Sequence, residues 1–318
     1  MVWTPPMEHA AQKHLAFVSS LRVKLTHEIL EMAPAMPRLA RPAQFTFPGR
    51  STESPRHLPG QGEVQFPSDA RQFKGWRHYG QNAPVWDLPA DLPKDVFTFA
   101  RLCYPFRRGL RWTADYPEAD LNFSFRLHQL TSVQVNPYPV ILNIDPAQLR
   151  HHPFLYVSEP GNMDINADQG RVLREYMLNG GFILMDDFWG GDEWKGFEPV
   201  FEKIWPDRTF EELKPDHPIF HCVYDLPSPP QVHSNVYWAE MRKNGRTNMH
   251  NEIRKDSATP HFRAVFDDRG RMVMLICLNN DLGDGWEQEQ SDPWYFTHVS
   301  EKHAYPLGIN IVFYALTH

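Results

Sequence analysis

Pro153-Phe154-Leu155-Tyr156-Val157-Ser158 and Phe182-Ile183-Leu184-Met185 are two short apolar runs, and what lies between them decides the fold. Asn166 stands three residues before Gln169, the form of a helix capping box. Val172, Leu173, Tyr176 and Met177 supply one apolar face, and Gly180-Gly181 ends the helix in the favoured way. Strand, helix and strand in that order predict a βαβ crossover, so the two strands should be parallel.

The pattern repeats outward from this unit. Val96–Tyr104 reads as a strand, Leu121–Leu130 as a helix, and Val133–Val135 and Val140–Ile144 as further strands. Beyond Gly190-Gly191, the positions Phe197, Val200, Phe201, Ile204 and Trp205 form an amphipathic helix. Phe262–Phe266 and Arg271–Leu278 flank Asp267-Asp268-Arg269-Gly270, a hairpin signature. Ala304–Leu316 returns to helical spacing. The expectation from this pattern is an α/β fold with a mostly parallel sheet and a late antiparallel hairpin at one side.

Composition bounds the rest. The chain has 318 residues, 42% hydrophobic and 22% charged, with Lys plus Arg 32, Asp plus Glu 39 and a net charge of −7. An acidic balance argues against nucleic acid, which needs a basic surface. No apolar run reaches the roughly 18 residues of a membrane span. Twelve of the 29 prolines fall in residues 1–93, where the charge is +2, against −9 for the remainder. This predicts a proline- and aromatic-rich N-terminal extension over 1–94, with a helix over 8–32, ahead of one α/β domain over 95–318. Phe73, Trp76, Tyr79 and Trp86 make a freely solvated linker a poor description, so this extension should lie against its own domain or a protein partner. Met1–Ser20 lacks the apolar core of a signal peptide.

Ligands of parallel sheets bind beyond the carboxyl ends of the strands. Asp186 and Asp187 therefore stand out, because paired carboxylates at a strand end can hold a metal, a hydroxyl or a shared proton. The alternative is one capping Asp and one surface ion pair. His217, fixed before Pro218, is a second proton-transfer candidate or a turn residue bonding the backbone. Arg111, Trp112, Asp115 and Asp120 gather polar and aromatic groups after the first strand, and Trp189 follows the Asp pair; together they suit the wall of a polar, saccharide-like ligand. Asp281, Asp284 and Glu287 recur at intervals of three but lack the order of a calcium loop, so solvated turn acids are the simpler reading. Which metal, if any, these acids would take stays open. Cys103, Cys222 and Cys277 are scattered, which excludes a cysteine-rich zinc module and a disulfide scaffold. GxGxxG, P-loop, GxSxG and HExxH motifs do not occur. No cofactor is implied.

Phe97-Thr98-Phe99-Ala100-Arg101-Leu102, Asp115-Tyr116-Pro117-Glu118-Ala119-Asp120, Gly180–Asp187, Asp216-His217-Pro218-Ile219-Phe220 and Gly308–Thr317 together resemble a bacterial family catalogued as domain of unknown function 4159. The resemblance covers about residues 95–318. That family is similar in architecture to class I glutamine amidotransferase-like and trehalose-utilisation (ThuA-like) domains, which implies a flavodoxin-like three-layer sandwich and brings no reaction with it. Amidotransferases place a nucleophilic cysteine after a central strand. Here that turn reads Met185-Asp186-Asp187-Phe188-Trp189-Gly190, so thiol chemistry is not expected and a surviving site would be a carboxylate site. The resemblance also leans towards the periplasm or cell envelope.

Two readings follow. In one, Asp186, Asp187 and His217 act on a polar small molecule held by Arg111, Trp112, Asp115, Asp120 and Trp189. In the other, the protein is a non-catalytic interaction or scaffold protein whose residues 1–94 pack on a partner in an envelope assembly.

Overall fold

Seven strands in the order β2-β1-β3-β4-β7-β6-β5 form one sheet in the computed structural model, which describes residues 84, 86–88, 96–107, 111–289 and 292–318. The chain separates into Met1–Gly62 and Glu63–His318, and the fold below concerns the second unit. The expected helix over 8–32 and most of the extension lie outside the described residues.

In chain order the elements are β1 (Ala100–Leu102), α1 (Glu118–Leu130), β2 (Val140–Leu142), β3 (Phe154–Ser158), α2 (Ala167–Leu178), β4 (Phe182–Phe188), α3 (Gly190–Ile204), β5 (Glu211–Glu212), α4 (Asn235–Asn244), β6 (His261–Phe266), β7 (Met272–Leu278), α5 (Leu282–Glu287) and α6 (Tyr305–Thr317). Strands β2, β1, β3, β4 and β7 are mutually parallel, while β6 and β5 add antiparallel at one edge. The α/β class, the βαβ unit and the late hairpin are all as expected from the sequence. Val133–Val135 contributes only one bridge, from Val135 to Phe97, because the Phe97 end of the first strand pairs over a single residue there.

Alternation along β3 shows how the layers form. Phe154 and Tyr156 enter a core with Phe99, Phe123, Leu127, Trp286, Leu307 and Ile311. Leu155 and Val157 enter the opposite core with Leu173, Met177, Phe197, Val200 and Ile204. Strand side chains point alternately to opposite faces, so a strand covered by helices on both faces must be apolar throughout. Helix α2 starts at the expected capping box: Asn166 Oδ1 accepts from the Gln169 amide at 2.9 Å and Gln169 Oε1 from the Asn166 amide at 3.0 Å. Such a cap contributes about 1 kcal/mol.

Trp86 places one aromatic of the front segment on this body. Its indole N–H donates to the Val135 carbonyl at 2.7 Å and its ring stacks on His128. Among the described residues no helix is long and apolar enough to cross a membrane.

Two features of the sheet position a site. The connections leave β1 towards β2 on one side and return to β3 on the other, so the crevice at the carboxyl ends of β1 and β3 is a topological switch point. Register also shifts in β4: Met185 pairs with Ile276, but Phe188 pairs with Leu278. Three steps on β4 match two on β7, so one extra residue bulges out at Asp186-Asp187. The Asp pair therefore lies within the end of the strand and not after it.

Candidate metal centre

Asp115 is held in place by a buried arginine. Arg101, on β1, donates from Nε and Nη2 to the Asp120 carboxylate at 2.5–3.0 Å. Its Nη1 donates to the carbonyls of Trp112 and Ala114 at 3.0 and 2.8 Å. The guanidinium thus ties α1 to the turn after β1, and that turn delivers Asp115 with a left-handed backbone, φ 59°. Arg101 also lies 4.8 Å from the centre of the Tyr156 ring.

Asp186 is fully buried. Its Oδ2 accepts from the Tyr156 hydroxyl at 3.1 Å and from the Leu282 and Gly283 amides at 2.8 and 3.1 Å. Its Oδ1 is shut off from solvent and accepts nothing among the described residues. Burial pushes the carboxyl up to about 7, against the pull of those hydrogen bonds. The bulge turns Asp187 the other way, at φ 60°, with Ser158 Oγ 3.4 Å from its carboxylate. A left-handed aspartate costs on the order of 1–2 kcal/mol, and such strain collects where the surrounding structure enforces it.

Helix α5 brings the remaining acids. Asp281 caps it, its Oδ1 accepting from the Asp284 amide at 2.8 Å. Asp284 accepts from the Asn235 amide at 2.5 Å and from Gln288 Nε2 at 3.2 Å. Gly283 leaves room for this packing: any Cβ there would overlap the Asp115 carboxylate and the Tyr156 hydroxyl.

Two sets of carboxylates result, Asp115 with Asp284 and Glu287, and Asp115 with Asp187 and Asp281. Within each set, one oxygen per residue lies within 4.8 Å of the others. Burial first, then neighbouring acids, drive Asp115, Asp187 and Asp281 well above the ordinary carboxylate range. The large charge influences on Asp187 and Asp281 all come from other acids, while Arg101 draws Asp115 partly back. Asp115 Oδ2 is closed to solvent with no hydrogen-bond partner among the described residues.

The residues singled out from sequence divide clearly. Asp115, Asp186 and Asp187 come together. Asp120 is committed to Arg101, and Trp112 is buried with its carbonyl on the same guanidinium. Trp189 is buried and stacked on His233, so neither tryptophan offers an open face. Of Arg111 only the backbone is described. His217 sits elsewhere. Its Nδ1 accepts from the Ile219 amide at 3.3 Å, capping a short 3₁₀ turn, and its ring faces Tyr314. Trp286, from the acid-bearing helix, instead donates to the Ala304 carbonyl, which precedes Tyr314 by ten residues, or about 15 Å along a helix.

Asp281, Asp284 and Glu287 are not solvated turn acids. The first two are buried, and the spacing of three that marked them in the sequence is the spacing of one helical face. His233 carried no sequence signal. Its Nδ1 meets Glu252 at 3.1 Å, and its ring lies between Trp189 and Tyr237.

A family model described as Domain of unknown function (DUF4159) matches residues 98–316, a span that contains every acid of this cluster. No curated protein matches the chain.

Proposed function

The chain belongs to the DUF4159 family, and from the site itself we propose that it binds a hard divalent cation at the carboxyl edge of the sheet and, through it, a polar small molecule. The carrying observation is that two sets of three carboxylates, Asp115 with Asp284 and Glu287 and Asp115 with Asp187 and Asp281, share Asp115, whose Oδ2 is closed to solvent with no hydrogen-bond partner among the described residues. Mg²⁺ and Ca²⁺ take oxygen ligands at roughly 2.0–2.6 Å, so two ligands of one ion stand at most about 4–5 Å apart. The spacing fits that limit, and a nitrogen- or sulfur-preferring metal would find no matching donors in these two sets.

Support for a ligand rich in neutral hydroxyls, a saccharide among them, comes from charge. Hydroxyls donate to carboxylates and ligate hard cations, whereas an anionic ligand would enter a surplus of negative charge. Amidotransferase-like architecture is compatible with this reading, but thiol catalysis is not. Burial pushes the Cys103 thiol up to about 11 and raises Cys277 as well, the opposite of what activates a nucleophile. His217 is assigned no part in the cation site.

Thermal unfolding with and without Mg²⁺, Mn²⁺ or Ca²⁺ tests the proposal. A cation at a hundred times its Kd should add about 2.7 kcal/mol of stability, and Asp115→Asn should abolish the gain. A wild-type protein indifferent to all three cations at millimolar concentration refutes it.

A further inference from the structure

We infer that the centre holds two divalent cations bridged by the Asp115 carboxylate. The inference rests on the cation-binding reading above and deepens it. Asp115 belongs to both carboxylate sets, while the other members divide between them: Asp284 and Glu287 on one side, Asp187 and Asp281 on the other. The division follows the fold. Asp284 and Glu287 project from one face of α5, whereas Asp187 comes from the β4 bulge and Asp281 from the cap of α5.

A single ion would have to gather five carboxylates from three segments, against their mutual repulsion. Two ions need only the arrangement already present, with three carboxylates each and one shared. Formal charge agrees: five carboxylates carry −5, which one divalent ion reduces to −3 and two reduce to −1. Uncompensated buried charge is the costliest state open to such a site.

Asp115 is also built to bridge. The Arg101 clamp on the Trp112 and Ala114 carbonyls fixes its turn, and its Oδ2 is buried without a donor among the described residues. Asp186 is close enough for its charge to act on Asp115, Asp187 and Asp281. Its own Oδ1 is likewise buried with no partner among the described residues, and its Oδ2 takes the Leu282 and Gly283 amides, which pins the first turn of α5. Carboxylate-bridged pairs of this kind hold their ions about 3.5–4 Å apart and present two adjacent positions to the oxygens of one ligand. A vicinal diol matches that spacing without adding charge.

The full chain, freed of metal and titrated with Mn²⁺, provides the test. Calorimetry should give two Mn²⁺ per chain, and the electron paramagnetic resonance spectrum should show exchange coupling between them. Glu287→Gln and Asp187→Asn should each leave one uncoupled Mn²⁺, and Asp115→Asn should weaken both sites at least tenfold, with circular dichroism checking each fold. One Mn²⁺ per chain, or two without coupling, overturns the inference and leaves the single-cation reading standing. No Mn²⁺, Mg²⁺ or Ca²⁺ binding by the wild-type protein overturns both. The stoichiometry and coupling of the wild-type protein decide the question even if a variant fails to fold.

Discussion

Two buried polar assemblies hang from the same strand and turn, and they are opposites. Around Arg101, charge is matched and every contact is short: a carboxylate on one side, two carbonyls on the other. Nearby, Asp115 in the turn after β1 and Asp186 on β4 bury oxygens with no partner among the described residues, among acids that repel one another. The first arrangement holds a shape, and the second leaves valences open. A buried group without a partner costs free energy, which is the basis for the cation site proposed above.

The largest effect should come from breaking the satisfied member. Arg101→Met strands Asp120 in the core and frees the turn that carries Asp115. Urea denaturation should show a loss of about 3–5 kcal/mol, and cation binding should disappear with it. Adding Asp120→Leu should recover much of the stability but not the binding. A loss under about 1 kcal/mol for the single variant would mean that the pair does not organise the site.

Acidity probes the unsatisfied member. Asp186 has a folded-state value of about 7, above the ordinary 3.8, so the folded protein binds the extra proton. That stabilisation is full below about pH 4, declines as pH rises, and is gone above about pH 7, a swing on the order of 4 kcal/mol. Asp115, Asp187 and Asp281 push in the same direction. Cation-free protein should thus lose urea stability from pH 5 to 7.5, Asp186→Asn should flatten the loss, and saturating Mg²⁺ should offset it. Stability that rises over that window would reverse the assignment.

Relaxing the bulge should have a smaller effect. Asp187→Gly removes both a repelled charge and a left-handed aspartate, so cation-free protein should gain about 1 kcal/mol while cation affinity falls. Equal or lower stability would show that the bulge is unstrained. The smallest change should come from His217→Gln, which removes one turn contact. Calorimetry should find cation binding unaltered, with stability down by less than about 1 kcal/mol; a tenfold loss of affinity would join the two ends of α6 into one site.

How much of this was legible varies residue by residue. The capping box at Asn166 and the apolar runs around it predicted α2 and β3 almost to the residue and the start of β4, because those features follow from local propensity and burial. Strand β4 runs on through the Asp pair to Phe188, three residues past the apolar run. Asp186 and Asp187 were visible as a pair at a strand end. Their opposite directions were not, since a bulge depends on register with β7, a strand almost ninety residues further on. Asp281, Asp284 and Glu287 had helical spacing in plain view, yet nothing local distinguishes a buried acidic face from a solvated one. Trp112, Trp189 and Asp120 suited a ligand wall by type; packing buried all three and committed Asp120 to Arg101. His217 shows the same limit in reverse, a chemically apt residue that the fold carries to the wrong end of a helix.

The sequence by itself determined the layers, the parallel sheet and the supply of acids, because periodicity and capping act over a few residues and need no distant partner. Only the tertiary structure decided which acids meet. Asp115 joins Asp284 and Glu287 from a position more than 160 residues earlier, and Asp187 joins Asp115 and Asp281 through one extra residue in a strand. Such encounters depend on strand order and register, and those are set by the whole core at once.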